Sequence, residues 1–93
     1  MLEKEIEEKL IKAVKAAGGI CLKYAASGTA GMPDRLVFLP GGRMGFVEVK
    51  APGKRPRQLQ LVRHRKLKGL GYRVFVLDDP EKIGEVLDAI RAV

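Results

Sequence analysis

Tryptophan is absent from this 93-residue chain, and aromatic residues of all kinds make up 5% of it. So thin a set argues against the stacking platforms on which single-stranded nucleic acid is held. A single cysteine, Cys21, rules out an intramolecular disulfide. Within the apolar run Ile20-Cys21-Leu22 it reads as a buried core residue and not as a nucleophile. No apolar run approaches the roughly 18 residues needed to span a bilayer, and the N-terminus is charged and not signal-like. A soluble, cytoplasmic protein with no membrane partner is expected. Ser-His-Asp, Cys-x-x-Cys and phosphate-loop patterns are missing, as are internal repeats. The lone His64 stands among charges and reads as a surface residue, neither general base nor ligand.

Positive charge is what the chain has in excess. Its 18 Lys and Arg against 11 Asp and Glu leave +7 at pH 7. The cations bracket a small group of acids instead of spreading evenly, which points past a solvated surface to a polyanionic partner. Hydrophobic content of 46% supports a core. The length fits one domain, residues 1–93, with little core to spare for a second task.

Leu2, Ile6, Leu10, Ala13, Val14 and Ala17 follow helical spacing and predict an amphipathic helix over 2–17, ended by Gly18-Gly19. A strand over 20–25 comes next, then a loop of small residues over 26–32. Strands at 35–39 and 44–50 are joined by Pro40-Gly41-Gly42. The prolines of 51–56 cannot donate to a sheet, so that basic segment reads as a linker. A helix over 57–69 places Leu59, Val62, Leu67 and Leu70 near one face. The β-branched strand 72–77 precedes a helix of about 80–92, capped by Asp78 or Asp79 with Pro80 at its first position. The order αβββαβα, a three-strand meander with a right-handed crossover to a fourth strand, predicts an α/β fold. Its mixed four-stranded sheet is flanked by helices.

Two short segments carry the chemistry: Gly31-Met32-Pro33-Asp34 and Phe46-Val47-Glu48-Val49-Lys50. Side chains alternate along a strand, so Glu48 and Lys50 share a face that Val47 and Val49 avoid. The hairpin brings Asp34 back beside that face. Two carboxylates and an ammonium in one place are costly in a small domain unless a hard cation joins them. Asp34 and Glu48 are therefore expected to ligate magnesium or manganese, which favour oxygen donors. Lys50 is expected to position an attacking water and to stabilise charge on a scissile phosphate. Metal-dependent phosphodiester hydrolysis is the chemistry such a set suits.

Lys54, Arg55 and Arg57 directly follow the catalytic strand and are the stronger DNA-contact candidates. Arg63, Arg65, Lys66 and Lys68 on the next helix include some that serve only as a solvated face. Ser27, Gly28, Thr29 and Gly31 offer backbone N–H groups to which a phosphate backbone can come close. On the first helix, Glu3 and Glu7 fall at the edge of the apolar face, whereas Glu5 and Glu8 lie on the opposite half. Acids bordering an inward face suit a metal site.

Asp34 in a Gly-x-Pro-Asp turn, Glu48-Val49-Lys50 after thirteen intervening residues, and Gln58 opening the next helix resemble the VRR-NUC branch of the PD-(D/E)xK nucleases. The element order matches that family's restriction-endonuclease-like core, so the resemblance spans nearly the whole chain. It implies a magnesium- or manganese-dependent DNA endonuclease of bacterial or phage type, working in the bacterial or phage-infected host cell. It also implies the Val49 carbonyl as a third oxygen ligand, with Gln58 helping to hold the water or Lys50. Glu7, eleven residues before Gly18, matches the spacing of the helix glutamate in related junction-resolving nucleases; Glu3, one turn earlier, is the competing choice. Stand-alone members resemble junction-resolving dimers. A homodimer acting on four-way (Holliday) junctions or other branched DNA is the implied assembly.

One site cannot cut both strands without rebinding, and closed twofold symmetry is the commonest oligomer. Leu61, opposite the apolar face of its helix, is an exposed residue such a contact would explain. The competing reading is a non-catalytic DNA-binding module that keeps the fold, yet it has no need of Asp34, Glu48 and Lys50 together. A protein–protein adaptor explains neither the acids nor the basic linker.

Overall fold

The first helix, α1 (Glu3–Ala16), buries Ile6, Leu10 and Val14, which four-residue spacing stacks along one face. In the computed structural model, which describes residues 1–24 and 30–92, eight elements follow the chain. Strands β1 (Ile20–Lys23), β2 (Arg35–Leu39) and β3 (Arg43–Val49) come next, then α2 (Gln58–Gly69) and β4 (Val74–Leu77). A 3-10 turn (Pro80–Lys82) leads into α3 (Ile83–Arg91). The sheet order is β1-β2-β3-β4. The first two pairings are antiparallel and the third is parallel, with α2 as its crossover.

The β2–β3 turn pairs Leu39 with Arg43. Gly41 and Gly42 both take positive φ there, 85° and 73°, a left-handed pair that side chains resist. Beyond it, alternate residues of β3 divide the molecule. Val47 and Val49 enter the main core with Ile6, Leu10 and Val14 of α1 and Val86, Leu87 and Ile90 of α3. Each fully buried Ile or Leu there contributes about 2 kcal/mol. Phe46 turns to the other side and packs with Leu67 of α2 and Val74 of β4 in a smaller cluster.

The predicted αβββαβα order and mixed four-stranded sheet stand as observed. Several boundaries move by one to three residues, because pairing partners and not propensity end the strands. β1 stops at Lys23 opposite Arg35, and β4 starts at Val74 opposite Phe46. The last helix opens as a 3-10 turn, and Asp79 is its cap, accepting the Glu81 N–H at 2.9 Å. Cys21 is half-buried, because β1 is an edge strand.

The larger correction concerns α2. Of Leu59, Val62, Leu67 and Leu70, only Leu67 is buried; the others are exposed. The stripe that faces the sheet consists of Gln60, His64 and Leu67, spaced i, i+4, i+7 as a helix face requires. Two of those three are polar, so assigning the apolar residues to the inside misplaced the helix. Among the described residues no helix is long and apolar enough to cross a membrane.

Candidate active site

Glu48 lies near the C-terminal end of β3 on the α2 side of the sheet, and only 1% of it is exposed. Lys50 follows just past the strand. Its backbone N–H donates to the Leu77 carbonyl at 2.9 Å, which carries the β3–β4 pairing one step further. That fixes the Lys50 backbone, and strand alternation brings its Nζ to 3.8 Å from Glu48 Oε2.

Asp34 is tied down from two directions. Its backbone carbonyl accepts the Tyr24 N–H at 2.8 Å, and its Oδ2 accepts the Val49 N–H at 3.0 Å. Just ahead of it, Gly31 lies against the start of α2. At Gly31, with φ of +83°, a Cβ would meet the Leu59 carbonyl oxygen at 2.7 Å, so the approach requires glycine.

These placements push the Glu48 carboxyl up to about 8. Burial is the main cause, followed by the hydrogen bond with the Asp34 carboxyl and then the Asp34 charge; Lys50 pulls the other way. A buried carboxyl beside a second one is costly to charge, and a divalent cation offsets that cost. The Asp34 and Glu48 carboxyl groups are hard oxygen donors. Such a set fits magnesium or manganese. Among the described residues no three His, Cys, Asp or Glu side chains form a metal-holding group. Backbone oxygen and water would therefore complete the coordination.

The helix acids separate. Glu7 does not reach the carboxyl pair, because Arg35 Nε claims its Oε2 at 3.1 Å. Glu3 is the helix acid whose charge adds to the negative surroundings of Glu48. It is itself exposed.

The expectation for Gln58 fails for a geometric reason. As the first residue of α2 it is exposed to solvent. Gln60, two positions on, points inward in its place. Gln60 Oε1 accepts the Arg57 backbone N–H at 2.7 Å, and Nε2 donates to Glu48 Oε2 at 3.1 Å. His64, read from sequence as a surface residue, is 4% exposed. Its Nε2 lies 3.4 Å from Glu48 Oε1. Burial first, then the Lys68 charge, push the imidazole pKa down against the pull of Asp34. The four-residue spacing of Gln60 and His64 was a legible signal, obscured by the exposed Leu59, Leu61 and Val62 on the same helix.

Lys54, Arg55 and Arg57 are exposed in the segment directly after Lys50, available to a polyanion. Arg63 is partly committed, since its Nε donates to the Ala30 carbonyl at 3.4 Å. Ser27, Gly28 and Thr29 lie outside the described residues.

No family model matches the chain. A protein of Acyrthosiphon pisum secondary endosymbiont phage 1, named "Putative nuclease p44", is 44% identical over 88 residues, covering 95% of this chain and 94% of its own. A solved structure described as a VRR_NUC domain superposes with a TM-score of 0.87 at 29% identity, covering 95% of this chain and 97% of that one. Sequence and fold thus agree over 95% of the chain, and the chain belongs to the VRR-NUC nuclease family.

Proposed function

We propose that residues 1–93 form one magnesium- or manganese-dependent DNA endonuclease domain that prefers branched DNA, four-way junctions above all. The observation that carries the chemistry is the Glu48 carboxyl, 1% exposed, with the Asp34 charge nearby and Lys50 facing it at 3.8 Å. A DNA-binding module without chemistry leaves that costly group unexplained.

In this reading Asp34, Glu48 and the Val49 carbonyl would hold the cation. When bound, it supplies an activated water and neutralises charge on the scissile phosphate. Lys50 orients that water and stabilises the developing negative charge. Lys54, Arg55 and Arg57 hold the phosphate backbone without reading bases. The reaction takes place in the cytoplasm of a bacterium or a phage-infected cell.

A homodimer would set two sites in twofold relation for two strands. Support comes from a group of exposed apolar side chains on the sheet among the described residues. Ile20 and Phe38 pair across β1 and β2 with Leu22 beside them, and all three are exposed, as is Leu61 on α2.

The test is cleavage of a labelled four-way junction beside a plain duplex, with manganese or chelator, for wild type and Asp34→Ala. Metal-dependent cutting that vanishes in the variant is expected. Activity that survives either chelator or the substitution refutes the chemistry. Equal nicking of both substrates by a protein that sediments as a monomer removes the junction preference and the dimer alone.

A further inference from the structure

We propose that His64 is a positioning residue for Glu48, holding Oε1 from its Nε2 so that the carboxylate meets a divalent cation in one orientation. The inference rests on the metal-dependent reading above and adds to it a residue with its own readout.

An imidazole inside a small domain is costly unless its polar atoms find partners. His64 is 4% exposed and projects from the buried stripe of α2. One turn earlier on that stripe, Gln60 donates to Glu48 Oε2 at 3.1 Å. The Gln60 amide is itself pinned, because the Arg57 N–H occupies its Oε1. Lys50 approaches the same Oε2. His64 is thus the α2 side chain that lies at the other oxygen.

A carboxylate held at one oxygen still turns about its last bond. Donors at both oxygens stop that rotation and leave a lone pair on each for a cation. With the imidazole proton on Nε2, both donors come from one helix at i, i+4 spacing, so they move together. Supporting groups of this kind orient metal-ligating side chains and tune affinity.

A purely structural role for His64 makes a different demand. Any polar group of suitable size would satisfy the packing, whereas positioning needs a donor at the Nε2 location. Glutamine can place its amide nitrogen near that location; asparagine stops one atom short.

The experiment is calorimetric titration of manganese into the metal-free protein. Wild type, His64→Leu, His64→Asn and His64→Gln are compared, with a melting curve for each. His64→Leu and His64→Asn should lose about 10- to 100-fold in manganese affinity while remaining folded, and His64→Gln should stay close to wild type. Should His64→Leu fail to fold, the Asn and Gln pair decides. Wild-type affinity in His64→Asn, or equal loss in Asn and Gln, overturns the proposal. If wild type itself shows no Asp34-dependent manganese binding, the metal reading falls and takes this one with it. Binding in wild type that no His64 variant changes removes the positioning role only.

Discussion

The Asp34 carboxylate accepts the backbone N–H of Val49 at 3.0 Å, fifteen positions along the chain. That bond places one carboxyl beside the next through main-chain geometry, so position and charge at residue 34 are separable by mutation. Asp34→Asn keeps an acceptor for Val49 and loses the charge; Asp34→Ala loses both. Cleavage should fall by at least about 100-fold in each. Melting temperature should drop only in the alanine variant, since a buried donor left without a partner costs about 1–3 kcal/mol. An asparagine variant that cuts like wild type contradicts the assignment.

The Glu48 carboxyl sits at about 8 in the folded protein against an ordinary 4.5. The folded state therefore binds this proton more tightly than the unfolded chain. Its contribution to stability is complete below about pH 4.5 and is lost as pH rises towards about 8. With chelator present, the melting temperature should decline over that window. Manganese at pH 8 should reverse the decline, and Glu48→Gln should flatten it. A pH-independent melting temperature in chelator would disprove the linkage.

Glu7 is engaged by Arg35 in a partly buried pair. Breaking it with Glu7→Gln should cost about 1 kcal/mol, a fall of roughly 4–8 °C in melting temperature for a chain this small. Manganese affinity should be unchanged. The opposite result, lost metal binding with intact stability, would return Glu7 to the metal site.

Lys54, Arg55 and Arg57 are exposed in the segment that follows β3. Alanine at each that contacts a phosphate should lower the salt dependence of DNA affinity by about 0.9 in log–log slope, equally for unrelated sequences. Arg57→Ala should leave the site intact, because Gln60 uses the Arg57 backbone and not its side chain. Fluorescence anisotropy over a salt series checks both, and an unchanged slope for all three would place the DNA elsewhere.

Sequence alone determined the element order and the cluster of Asp34, Glu48 and Lys50. Periodicity two along β3 puts Glu48 and Lys50 together whatever else the fold does, and a short glycine turn leaves little choice of hairpin partner. Only the tertiary structure decided which residues attend that cluster. Helix periodicity fixes which side chains share a face but not the angle at which the face meets the sheet. On α2 the usual guide, that apolar residues turn inward, failed: Leu59, Val62 and Leu70 are exposed while Gln60 and His64 are buried. A buried carboxyl reverses the preference, since its surroundings must supply hydrogen-bond donors. The same dependence on three-dimensional neighbours settled the helix acids. Nothing in the spacing of Glu3 and Glu7 records that Arg35, twenty-eight positions beyond Glu7, would claim one of them.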